Sequence, residues 1–177
     1  MRRNHCLRLA SILLVSAATQ PAPSFALPDD AAKPFEVNSP SGDGELFLAE
    51  GLVIYRGPPN DPATVRQGSM LITGTEIRIK RTNGTLQAAT AIGNPASFEQ
   101  QPAVDQEIVH ISGNSIHFDN AAQTLTIDTA AEFTQGDNNL RANHIDYDIK
   151  TRHVTANSGG ATREPVHSIF APKATTP

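Results

Sequence analysis

From Phe35 to about Asn157 apolar and polar residues alternate with a period of two, and helical periodicity is nearly absent. Glu76-Ile77-Arg78-Ile79-Lys80, Ser115-Ile116-His117-Phe118-Asp119, Thr124-Leu125-Thr126-Ile127-Asp128 and His144-Ile145-Asp146-Tyr147-Asp148 each carry one apolar and one wet face. That is the pattern of an antiparallel strand with one side on a core. Asn83-Gly84, Gly93-Asn94-Pro95, Asn120 with Ala121 and Ala122, and Gly136-Asp137-Asn138-Asn139 fall where turns are needed. Roughly a dozen or more short strands are too many for one flat sheet in a chain of this size, so the fold is expected to be all-β and rolled or sandwiched.

The alternating segments repeat. Ile72-Thr73-Gly74-Thr75-Glu76-Ile77-Arg78-Ile79, Ile111-Ser112-Gly113-Asn114-Ser115-Ile116-His117-Phe118 and Leu140-Arg141-Ala142-Asn143-His144-Ile145-Asp146-Tyr147 align without gaps. Nine residues after Ile77, Ile116 and Ile145 stand Leu86, Leu125 and Val154, as expected for a strand, a turn and a returning strand. The copies start 39 and then 29 residues apart, too unequal for the stacked coils of a regular parallel β-helix.

Residues 1–26 read as a cleaved signal peptide: Arg2, Arg3 and Arg8 precede the apolar run Leu9 to Ala18, and Ser24-Phe25-Ala26 puts small residues at −3 and −1 of a cut before Leu27. The run is short of the roughly 20 residues a membrane span needs. Processing would remove Cys6, the single cysteine, and with it disulfides, thiol redox chemistry and thiolate metal sites. Of the 14 Lys and Arg, 11 would remain against 18 Asp and Glu, a net charge of −7. With two Tyr, seven Phe and no Trp, that balance argues against nucleic acid and against an anionic membrane surface as partners. Residues 27–34 read as a polar leader, 35–157 as the β domain, and 158–177, rich in Gly, Thr and Pro, as a flexible tail.

No catalytic motif is present: there is no Gly-x-Ser-x-Gly elbow or phosphate loop, and the histidines lack close metal-ligand spacing. No catalytic residue, metal or cofactor is expected. Asp119, Asp128, Asp146 and Asp148 decorate outward positions, where turn and solubility roles are the default. The informative set is the apolar face: Ile77, Ile79, Leu86, Phe98, Ile116, Phe118, Leu125, Ile127, Phe133, Ile145, Tyr147 and Val154. These residues line an apolar cavity or fill a dry core, and alternation alone does not separate the two. Arg78, Lys80 and Arg81 form the densest basic cluster, Arg141, Lys150 and Arg152 a sparser one.

Gly93-Asn94-Pro95-Ala96-Ser97-Phe98-Glu99-Gln100, flanked by the repeats, resembles the Gly-x-Pro-Ala-x-Phe-x-Gln signature of the OstA-like (LptA) family of periplasmic lipopolysaccharide-transport proteins. The resemblance implies a twisted antiparallel β-jelly roll, open at both ends, whose apolar interior shields the acyl chains of lipid A as lipopolysaccharide passes from inner to outer membrane. It implies head-to-tail self-association through open edges, with LptC at the inner-membrane side and LptD at the outer membrane. The edges expected to pair are the strands around Phe35 to Ser39 and His153 to Asn157. The chain departs from the family pattern in Phe35-Glu36-Val37-Asn38-Ser39-Pro40, in Glu50-Gly51-Leu52-Val53 and in the proline-bearing stretch from Gly57 to Gly68. Two other readings of the same repeats are an LptC-like scaffold, which would keep a membrane anchor, and an exported carbohydrate-active β-solenoid enzyme, which would need acids clustered at a constant period.

Overall fold

In the computed structural model, residues 27, 30, 33–83, 85–158 and 165–170 are described; the predicted signal peptide lies outside them. The strands are β1 (Glu36–Asn38), β2 (Gly44–Phe47), β3 (Leu52–Arg56), β4 (Ala63–Gln67), β5 (Met70–Gly74), β6 (Glu76–Thr82), β7 (Thr85–Gln100), β8 (Val109–Asp119), β9 (Thr124–Gln135), β10 (Asn138–Asp148), β11 (His153–Asn157) and β12 (His167–Ile169). Every pairing is antiparallel. The four long strands β7 to β10 pair in sequence order, and the sheet forks on both sides of them. One branch runs β7-β6-β3-β2, the other β7-β5-β4-β1, while β11 and β12 both pair with β10. The result is a jelly roll of two eight-strand layers that share the long strands.

A crease separates the layers. Register shifts fall between Ile92 and Ala96 of β7, Ser112 and Ser115 of β8, and Ala142 and His144 of β10. On β9 the bend is made by Thr129 and Ala130 at φ 62° and 54°. A bulge leaves an extra residue unpaired and turns the strand, so bulges aligned on neighbouring strands fold a whole sheet. The repeats now acquire a physical reason, because their third position (Gly74, Gly113, Ala142) lies at this crease. A Cβ on Gly113 would stand 2.5 Å from Ile127 Cγ2, and one on Gly74 2.8 Å from the Ile92 carbonyl oxygen. The Gly93-Asn94-Pro95-Ala96 signature is the β7 crossing of the same crease, with a cis Asn94-Pro95 peptide. Thr75 Oγ1 donates to the Ile92 carbonyl at 3.0 Å and the Gly57 N–H to the Thr75 carbonyl at 3.0 Å, fastening the crease beside it.

The inner faces of both layers merge into one core. Phe133 on one layer and Tyr147 on the other meet with ring centroids 5.3 Å apart. Outside, charged side chains tie neighbouring strands: Arg56 on β3 bonds Glu45 on β2 and reaches Glu76 on β6 at 2.9 Å, and Arg141 on β10 meets Glu132 on β9 at 2.8 Å, while Arg78 meets Glu76 within β6 at 2.6 Å. The divergent stretch Gly57 to Gly68 becomes the β3–β4 connection and β4 itself, and the connection turns on an Asp61 N–H to Pro58 carbonyl bond of 3.0 Å.

Parts of the two terminal segments lie among the described residues, while 28–29, 31–32, 159–164 and 171–177 lie outside them. Residues 167–169 of the predicted flexible tail form β12, with His167, Ser168 and Ile169 opposite Arg141, Leu140 and Asn139. In the polar leader Asp30 is buried against the β4–β5 turn. A few backbone and carboxylate bonds to an otherwise unpaired strand or turn suffice to order such segments, and composition does not reveal them.

Candidate functional site

Cross-strand register shows how the apolar face is built. In one layer Leu46, Val53, Ile79, Ala89, Phe118, Leu125, Tyr147 and Val154 stand directly opposite one another from β2 to β11. A parallel row runs from Gly44 and Tyr55 through Ile77, Ala91, Ile116, Ile127 and Ile145 to Ala156. The other layer carries Val37, Val65, Ile72, Phe98, Ile111, Phe133 and Leu140, ending at Ser168. Directly opposed side chains are the contact unit of a sheet, so each row is a continuous apolar track across the molecule.

Eleven of the twelve residues singled out from the sequence fall on these three rows. Ten of the twelve are buried, and Leu86 and Val154 are half-buried against the core. Leu86 leaves the rows because a bulge at Lys80/Arg81 places it opposite Arg81, whereas Leu125 and Val154 face Phe118 and Tyr147. Sequence reasoning missed Val53, Tyr55, Ala89, Ala91, Val65 and Ile72. The alanines carry little hydrophobic signal, Val65 follows a proline stretch, and Ile72 was visible as the first residue of a repeat.

The rows differ sharply between centre and ends. Ile77, Leu125, Ile127 and Ile145 are 0% exposed, whereas Leu46 is 61% and Val37 37% exposed. The central interior is therefore packed side chain on side chain, and the tracks reach solvent at their edge strands. At the Leu46 end the row opens into a groove of about 460 Å³ lined by Leu46, Leu48 and Val53 with Arg81 on its wall. β1 and β2 bound the sheet on one side, β11 and β12 on the other, so both predicted edges, Phe35 to Ser39 and His153 to Asn157, are edge strands.

The basic clusters divide by environment. Arg78 and Arg141 are engaged by Glu76 and Glu132. The hydrogen bond from Arg141 holds the Glu132 carboxyl below its ordinary range despite partial burial. Lys150 and Arg152 border a small cavity of about 70 Å³ that also touches Tyr147 and Val109. Burial pushes the Tyr147 phenol above its usual pKa, which keeps it neutral as part of the wall.

Outward-facing His144 closes a polar cluster beside the β11 edge. Its Nδ1 lies 2.6 Å from Asp128 Oδ1 and its Nε2 3.0 Å from Asp146 Oδ2, while Thr126 Oγ1 donates to Asp146 Oδ1 at 3.0 Å. With a carboxylate at each ring nitrogen the imidazolium donates twice, and the hydrogen bond to Asp128, helped by Asp146 against partial burial, raises the His144 pKa. A raised folded-state pKa gives stabilisation that is fully present below the unfolded value of about 6.5 and is lost as pH rises through the folded value. The melting-temperature gap between the natural chain and His144→Ala is therefore expected to be largest near pH 5.5 and to shrink by pH 8.5. A gap that widens with pH in thermal melts would contradict the ion-pair assignment.

This geometry has counterparts. Residues 53–153 match the family model described as LptA/(LptD N-terminal domain) LPS transport protein. The chain belongs to this family. The lipopolysaccharide export system protein LptH of Pseudomonas aeruginosa is 31% identical over 161 residues, covering 90% of this chain and 87% of LptH. The export system protein LptA of Haemophilus influenzae is 29% identical over 163 residues, covering 90% and 88%. The crystal structure of LptH, described as the LptA-homologous periplasmic component of the lipopolysaccharide transport device of Pseudomonas aeruginosa, superposes with a TM-score of 0.72 at 26% identity, covering 82% of this chain and all of that one. The LptA-family signature thus coincides with the crease, where Gly93 has no room for a side chain and Ala96, Phe98 and Gln100 point inward and are buried.

Proposed function

We propose that this chain is a non-enzymatic periplasmic carrier that shields the acyl chains of lipopolysaccharide and bridges inner and outer membranes for outer-membrane assembly. The observation that carries the reading is the set of apolar rows that cross the whole sheet and emerge at open edges. An acyl chain in water costs about 0.8 kcal/mol per CH₂, so a dozen carbons cost on the order of 10 kcal/mol if unshielded. A carrier needs an apolar lining that continues from one subunit to the next. The twelve residues Ile77, Ile79, Leu86, Phe98, Ile116, Phe118, Leu125, Ile127, Phe133, Ile145, Tyr147 and Val154 are the proposed lining. Because the centre is packed, lipid enters by parting the two inner faces and replacing side-chain contacts with acyl contacts. The layers are continuous through the long strands at the crease, so they part about it on the side away from it. The acidic surface leaves the phosphosugar in water.

Edge-to-edge pairing extends the lining. Open strands present unpaired backbone groups, which a second copy, LptC at one end or LptD at the other can satisfy by β-augmentation. A heterologous contact of this kind need not close and can run as a filament. The test is photocrosslinking of lipopolysaccharide to protein carrying a photoreactive residue at Phe118, at Leu46 or at outward-facing His117. Strong label at the first two and little at His117 is expected; equal or absent label at Phe118 and His117 would leave a dry core and sink the carrier reading.

A further inference from the structure

Asp30 is only 3% exposed. Its Oδ1 accepts the Ser69 N–H at 3.1 Å and its Oδ2 accepts the Ser69 hydroxyl. Ser69 Oγ in turn accepts the Gln101 N–H at 3.4 Å, which ties in the loop after β7. The seat is shaped for this carboxylate: Gly68 has φ +57°, and a Cβ there would stand 2.1 Å from Asp30 Oδ1. Gly68 therefore supplies the left-handed turn between β4 and β5 and also the space Asp30 occupies. Gln67 Nε2 donates to the Lys33 carbonyl at 3.2 Å, and the Lys33 N–H to the Asp30 carbonyl at 3.1 Å, so both Asp30 and Lys33 are held ahead of β1.

β1 needs such help. It has three residue pairs with β4, and all three of its residues are exposed. Its far end is fastened by Ser39 Oγ and Ser41 Oγ, which donate to the Arg56 carbonyl at 2.7 Å and 2.6 Å. Between these two fasteners lies a short strand that, among the described residues, pairs on one side with β4, and short edge strands otherwise fray.

We infer that the Asp30–Ser69 clasp is a positioning device for docking: it keeps β1 formed so that a strand from a second copy of this chain pairs with it without first ordering it. Pre-formed recognition elements bind tighter because the ordering cost is removed beforehand. This inference rests on the proposed edge-to-edge pairing, and its consequences extend to a residue outside both the strand and the apolar rows. Asp30 lies outside β1 and bonds the β4–β5 turn, so it acts through the position of β1.

The test compares the purified protein with Asp30→Ala and with Ser69→Ala, which keeps the backbone donor. Amide hydrogen exchange over residues 35–38 is expected to rise by about tenfold or more in Asp30→Ala, with the β8–β9 hairpin unchanged, and less in Ser69→Ala. The concentration for half-maximal self-association by light scattering is expected to rise several-fold in step, and the double variant to be no worse than Asp30→Ala, as for two members of one unit. Unchanged β1 exchange in Asp30→Ala overturns the clasp. Faster β1 exchange with unaltered self-association overturns the docking role. Failure of the natural chain to self-associate refutes edge pairing itself, and the exchange data still judge the clasp separately.

Discussion

Replacing Phe98 by Ala is expected to cost about 3–5 kcal/mol of folding stability, read as a drop in the denaturant midpoint at unchanged slope. Phe98 is 1% exposed, stands between Ile72 and Ile111 in its row, and belongs to the β7 segment immediately past the crease. Strands on either side lose a packing partner at once, and the bulged backbone of Gly93 to Ala96 gives the cavity little freedom to collapse. Domains of this kind hold about 5–15 kcal/mol in total, so the variant would sit near its unfolding limit at physiological temperature. A loss below 1 kcal/mol would mean that the two inner faces are already apart at this point, and would favour an open interior over the packed one described here.

Leu46→Asp is expected to do the opposite, leaving stability nearly unchanged while disabling assembly and lipid passage. Leu46 is 61% exposed on an edge strand, and substitutions at such positions usually move stability by no more than about 0.5 kcal/mol. In a joined pair of subunits the same side chain would be covered, and a carboxylate in that place costs on the order of 2 kcal/mol or more. That corresponds to roughly 30-fold weaker association, or more, since 1.4 kcal/mol is about tenfold. Val104→Asp, at a residue 76% exposed in the loop after β7, is the matched control. If both variants associate and pass lipopolysaccharide like the natural protein, the row ending at Leu46 is not part of a continuous track.

The two variants probe different levels of what is written in the chain. Phe98 was identifiable because it alternates with Ala96 and Gln100 within a recognisable signature, and alternation fixes which face a side chain takes. Leu46 was not, although it ends the row that contains Phe118 and Leu125. Its strand is four residues long, GELF, and its neighbours Phe47 and Leu48 are also apolar, so period two is not visible there. Asp30 and β12 were invisible for a related reason: each is ordered by a partner far away in sequence, Ser69 in one case and Leu140 with its neighbours in the other.

That the chain is all-β, that β8–β9 turns at Asn120 to Ala122 and β9–β10 at Gly136 and Asp137, and which face of each long strand is apolar were all legible in the sequence, because these follow from local periodicity and turn chemistry acting over a few residues. The three-dimensional packing was needed to see that the repeat's small residue marks a crease, that three apolar rows line up across the sheet, that their centres are sealed while their ends are open, and that Asp30 is clasped to the β4–β5 turn. Those features depend on which strands meet and in what register. Register is set by the simultaneous packing of both layers, a non-local balance that no single stretch of the chain contains.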